Sequence, residues 1–122
     1  MANQATALFE SLATGPYDPN PPVLPIVSAK AKGCGYSGQT NGLHTVQFST
    51  TGTFNGIIKI QGSLATTPSD TDWYDITSLG NNVTPVPDQT TTTNFSGNHV
   101  WIRGIITAFS AGNINRVLFT HN

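Results

Sequence analysis

Three aspartates, Asp70, Asp72 and Asp75, fall within six residues of the stretch "PSDTDWYD". Calcium takes several oxygen ligands from a flexible loop, which makes this cluster the first candidate site. Its spacing lacks the central glycine and twelfth-position glutamate of an EF-hand loop. If "DWYD" is already a strand, Asp72 and Asp75 also point to opposite faces. Serine and aspartate here are equally what a turn uses to bond its own backbone. The segment therefore reads as the turn between two strands, with Trp73 anchoring the return, and no metal is expected.

The other candidates resolve the same way. "GCGYSG", from Gly33 to Gly38, matches G-x-G-x-x-G, but a dinucleotide site needs that pattern between a strand and a helix. "QTNGLHT" follows where the helix should begin, so these glycines serve tight turns or close backbone packing. Cys34 would need an adjacent base to act as a nucleophile. His44, His99 and His121 are scattered, and none has a partner at zinc spacing, so a packed thiol and separate imidazoles are expected. A glycosidase needs two placed carboxylates, and the only rich source is the aspartate turn. No catalytic residue and no cofactor is assigned.

Trp73, Tyr74 and Trp101 could stack on sugar rings if exposed together; otherwise they are core. Trp101 shares an alternation face with Arg103 and Thr107, which marks Trp101 and Arg103 as the contact residues to watch.

Composition narrows the class. Only 9% of the 122 residues are charged, against about 25% in ordinary soluble proteins. The surface must be Thr, Ser, Asn, Gln and Gly, which suits packing against copies or neighbours. The net charge of −1 and five scattered cations, Lys30, Lys32, Lys59, Arg103 and Arg116, argue against a nucleic-acid binder. A single cysteine excludes an internal disulfide. The opening "MANQATALFESLATG" carries no basic start or long apolar run, and no stretch approaches a membrane span. Synthesis in the cytoplasm without an obvious export signal is the expectation.

The elements that must position these residues fall into two parts. Residues 1–28 read as an arm. Ala5, Leu8, Phe9 and Leu12 at near-helical spacing predict a short helix over 4–13. "GPYDPNPPVLPIV" follows with five prolines from Pro16 to Pro25, which predicts an extended, stiff segment. Its apolar members need cover, from a neighbouring subunit or from the chain's own body. Leu8, Phe9, Leu12, Val23, Leu24 and Ile26 are the expected interface residues. Residues 29–122 read as strands: "LHTVQFST", "FNGIIKIQGSL", "DWYDITSL", "HVWIRGIITAF" and "NINRVLFTH" alternate apolar and polar residues, with turn-forming segments between them. "TTTTNF" reads as a polar edge strand. The expected class is all-β, an antiparallel, jelly-roll-like β-sandwich carrying an N-terminal arm.

The order "GIIKIQGSLATTPSDTDWYDI" and then "FSGNHVWIRGIITAFSAGNINRVLF", covering about Thr51 to Phe119, resembles small β-sandwich virion proteins of tailed bacteriophages, particularly marine and cyanobacterial ones. Those are decoration, cement and tail-associated proteins. The resemblance implies a non-enzymatic structural role in a virion and no catalytic residues. The partners it implies are further copies, expected as a homotrimer, and the major capsid protein or tail proteins. The alternative is a receptor- or glycan-binding module of a fibre or capsid surface, with a host-surface glycan as partner.

Overall fold

A computed structural model describes residues 6–14, 25–36, 42–79 and 88–121. Seven strands follow in chain order: β1 (Thr6–Thr14), β2 (Ile26–Val27), β3 (Ala31–Lys32), β4 (His44–Ser63), β5 (Tyr74–Leu79), β6 (Gln89–Phe95) and β7 (Trp101–His121). A single turn of 3-10 helix, Asp70–Asp72, precedes β5. All seven strands belong to one sheet, and every pairing is antiparallel.

The spine of the sheet is the pair β4 and β7, which run together from His44 opposite His121 to Ser63 opposite Trp101. Near His44, β6 flanks β4 and β1 flanks β7. Toward Ser63, β5 flanks β4, while β2 and β3 flank β7. The long strands are not straight. Pairing breaks between Thr51 and Asn55, where Gly52 and Thr53 take φ of 73° and 56°. The left-handed backbone turns the strand at that point.

Period-two alternation builds the core. Val46, Phe48, Phe54, Ile58 and Ile60 of β4 face Ile102, Ile106, Phe109, Val117 and Phe119 of β7, all buried. Burying each such side chain is worth about 1.5–3 kcal/mol. Ile114 joins them although it lies an odd number of residues from Val117. Ser49 opposes Arg116 while Thr50 opposes Ile114, so Asn115 is an extra residue that resets the face. Phe9 of β1 pairs with Val117, yet its ring lies against Gly104, where a Cβ would sit 2.5 Å from the ring. One residue thus touches both halves of β7, which requires the sheet to curl over itself.

The all-β class and the polar edge strand are as expected; the helix over residues 4–13 is not. Thr6–Thr14 is β1, hydrogen-bonded to β7 of the same chain. The spacing of Leu8 and Phe9 that suggested a helix is the mark of a bulge: register shifts between Ala7 and Phe9, and both Leu8 and Phe9 are buried. Leu8 and Phe9, expected to dock on a neighbour, therefore lie in the chain's own core. Leu12 lies on β1 opposite Ile114. Ile26, in β2 opposite Ile106, packs half-buried on the same core. Val23 and Leu24 lie outside the described residues.

Candidate functional site

The aspartate segment is a self-bonded turn. The Asp72 carboxylate accepts from the Ser69 N–H at 2.7 Å and from its hydroxyl at 3.1 Å. Asp75 points elsewhere, accepting from Gln61 Nε2 at 2.9 Å and pairing with Lys59 at 3.2 Å. The Gln61 hydrogen bond, with Lys59 behind it, holds the Asp75 carboxyl below its ordinary range. No group of three or more His, Cys, Asp or Glu fit to hold a metal occurs among the described residues. Trp73 is half-buried, and its indole lies under the Arg103 guanidinium at 4.4 Å rather than in the core.

"GCGYSG" serves close packing in its described part. Gly33 and Gly35 press on the backbone of residues 98–99, where a Cβ on either would come within 2.3 Å of a carbonyl oxygen. Gly35 N–H donates to the His99 carbonyl at 2.8 Å, and Gly33 N–H to Val100 at 2.9 Å.

The structure gathers all three histidines, which sequence spacing had left apart. His44 begins β4 and His121 ends β7, so antiparallel pairing sets them opposite each other. The His44 ring lies 5.3 Å from that of His99 and 6.0 Å from that of His121, stacked on Phe95 at 4.9 Å. Its Nδ1–H donates to the Gly42 carbonyl at 2.9 Å, and its Nε2 accepts the Cys34 N–H at 3.1 Å. Both ring nitrogens are thus spent on backbone. Burial lowers the His44 pKa below its ordinary value, and the neighbouring histidines push it the same way. Tyr74 donates its hydroxyl to His99 Nδ1 at 2.5 Å, while His99 Nε2–H reaches the Ser96 carbonyl at 3.2 Å. Desolvation raises the Tyr74 phenol. The Cys34 thiol is buried and reaches the Leu43 carbonyl at 3.5 Å. The cluster holds one end of the sheet together through committed hydrogen bonds.

The outer surface divides by composition. Around β6 it is mostly uncharged and polar, with Arg116 and Asp88 at its margins: Thr45 donates to Asn94 at 2.8 Å, and Ser49 meets Thr90 at 3.3 Å. A shallow depression lined by Thr45, Gln47, Thr92, Leu118, Phe119 and Thr120 lies beside them. Around β3, β7 and β5 the surface carries aromatics and cations. Trp101 is half-buried, its indole N–H donating to the Thr66 carbonyl at 2.9 Å. Its ring meets Tyr36 at 4.9 Å, Lys30 stands over it, and Lys32 stands over Tyr36. Arg103 donates from Nε to Gln61 at 2.9 Å, and desolvation lowers its pKa. The alternation face of Trp101 and Arg103 was legible in the sequence; that Tyr36, Lys30 and Lys32 gather beside Trp101 was not. The signal was the alternation in "KAKGCGY", which sets Lys30 and Lys32 on one face.

No helix among the described residues is long and apolar enough to cross a membrane. Comparison with protein-family models, curated proteins and solved structures gives no match for this chain.

Proposed function

We propose that the chain is a non-enzymatic structural protein of a tailed-bacteriophage virion, a capsid-decoration or tail-associated subunit that works by assembling with copies of itself and with capsid or tail proteins. The resemblance of its strand-turn-strand sequence to such proteins supports the setting. In this reading the curled sheet is a jelly-roll-like sandwich closed by Phe9 on Gly104.

The observation that carries the assembly reading is the edge strand β6. Its seven residues, "QTTTTNF", contain no charge and no proline, and they pair with β4 without a register shift. Monomeric proteins blunt a free edge with Lys, Pro or a bulge, because its unpaired N–H and C=O groups recruit another chain. Among the described residues β6 pairs only with β4, and such an edge is suited to a partner strand. With β1 in the chain's own sheet, association runs through this edge and its mostly uncharged outer face.

The test is the oligomeric state by analytical ultracentrifugation, for the full chain and for a Thr90→Lys/Thr92→Lys variant. The native chain forms a homo-oligomer, with three copies expected, and the lysines dissociate it without changing its circular dichroism. A native chain that stays monomeric at high concentration would overturn the reading.

A second reading, a ligand-binding module of a fibre or capsid surface, draws on the separate aromatic and cationic face around Trp101.

A further inference from the structure

Four of the chain's five Lys and Arg residues, Lys30, Lys32, Lys59 and Arg103, and both its tryptophans stand on one outer face, at the end of the sheet away from β6's pairing. Such clustering is not forced by the fold, since the remaining outer positions of β4, β6 and β7 are filled mostly by Thr, Asn, Gln and Ser. Each aromatic on the face is paired with a cation. Lys30 Nζ lies 4.9 Å from the Trp101 ring centre, Lys32 Nζ 4.6 Å from that of Tyr36, and the Arg103 guanidinium 4.4 Å from that of Trp73.

The groups are held in place. Trp101 is fixed by its indole bond to the Thr66 carbonyl, and Tyr36 by its N–H to the Gly33 carbonyl at 3.1 Å. Gln61 bridges Arg103 and Asp75 with its two amide ends, which orients the guanidinium. Tyr36 remains 46% exposed. Lys59 is neutralised by Asp75, whereas among the described residues neither Lys30 nor Lys32 has a carboxylate within ion-pair distance. Two cations above two aromatic rings, with no carboxylate of the described residues in ion-pair reach, leave a place for a ligand's negative charge beside aromatic surface.

We propose that this face binds an acidic polysaccharide: a chain of pyranose sugars whose carboxylates draw the Lys30 and Lys32 ammonium groups off the Trp101 and Tyr36 rings into ion pairs, so that the sugars' flat C–H faces rest on the rings the lysines leave. Arg103 over Trp73 repeats the ring-and-cation unit farther along; successive outward residues on β7, Trp101 and Arg103, stand about 7 Å apart. The charge pattern selects this polymer over nucleic acid. Densely spaced phosphates demand a continuous basic track. Here Asp75 pairs with Lys59 and Asp70 acts on Arg103, which disfavours a polyphosphate and tolerates a polymer with one carboxylate per ring. This gives the second functional reading its ligand class, and it is independent of assembly through β6.

The experiment is calorimetric titration of the full chain with hexagalacturonate, with uncharged cellohexaose and with a short DNA duplex as the other arms. Hexagalacturonate binds, and binding weakens with added salt. Tyr36→Ala and Lys30→Gln/Lys32→Gln each reduce affinity roughly tenfold or more, the loss of about 1.4 kcal/mol of contact. Cellohexaose binds weaker by a similar factor. Tyr36→Ala is the aromatic variant of choice because Trp101 is part of the sheet. Repeating the titration on Thr90→Lys/Thr92→Lys separates ligand binding from assembly: unchanged affinity in a dissociated subunit leaves the site standing alone. No binding of hexagalacturonate, affinity indifferent to both variants, or tighter binding of the duplex would overturn the proposal.

Discussion

His44 Nε2 accepts the backbone N–H of Cys34 at 3.1 Å while its Nδ1–H donates to the carbonyl of Gly42 at 2.9 Å. One neutral imidazole thereby ties the turn after β3 to the start of β4. Because Nε2 must be an acceptor, a second proton would set it donor to donor against the Cys34 N–H. Among the described residues the titratable groups around the ring are Cys34, Tyr74, His99 and His121, and none of them is a carboxylate that could offset such a charge.

A pH dependence follows. Burial first, and then the neighbouring histidines, hold His44 below its ordinary 6.5. The unfolded chain therefore binds a proton that the folded chain refuses, so stability rises with pH across this interval. The contribution is complete above about 6.5 and is lost progressively as pH falls below it. Urea midpoints are expected to be lower at pH 5 than at pH 7.5, and His44→Gln, which keeps a donor and an acceptor, should flatten the difference. A midpoint independent of pH over that range would show that His44 accepts its proton in the folded state.

Phe9 and Gly104 form a second coupled pair. The ring is 6% exposed and rests where the Gly104 side chain would be. Phe9→Ala is expected to cost about 3–5 kcal/mol, as for other buried phenylalanines. Gly104→Ala alone should cost about 1–3 kcal/mol through overpacking. In the Phe9→Ala background the added methyl enters vacated space, so the double variant should lose well under the sum. Denaturant melts of the four proteins measure the coupling, and strict additivity would mean that the two halves of the sheet do not meet there.

These relationships show where sequence legibility ends. The alternation in "FNGIIKIQGSL" and "HVWIRGIITAF" gave away the inward faces, because Ile58, Ile60, Ile102 and Ile106 obey period two without interruption. Ile114 and Leu8 escaped because bulges at Asn115 and beside Ala7 break that period, and at Leu8-Phe9 the break mimics a helix. Leu64 continues the alternation of Ile58 and Ile60 in the sequence, but the strand ends at Ser63 and Leu64 is exposed. The histidine cluster was illegible for a different reason. His44 and His121 meet only because β4 and β7 pair from end to end across the bend, and local spacing carries no trace of that. By contrast, the shared outer face of Trp101 and Arg103 follows from alternation alone.

Thr50 gives the last prediction. It lies on β4 opposite Ile114, just before the bend, it is almost wholly buried, and its hydroxyl has no hydrogen-bond partner among the described residues. An unsatisfied buried hydroxyl costs about 1–3 kcal/mol of desolvation. Valine has the same branched shape and equal strand preference, and it carries a methyl where threonine carries the hydroxyl. Thr50→Val should therefore stabilise the fold by about 1 kcal/mol, visible as a higher urea midpoint with an unchanged slope. Thr50→Ser, which keeps the hydroxyl and deletes the methyl, should destabilise it. If valine instead lowers the midpoint, the hydroxyl is bonded in solution, and the bend at Gly52 and Thr53 is held by a contact through Thr50 rather than by backbone conformation alone.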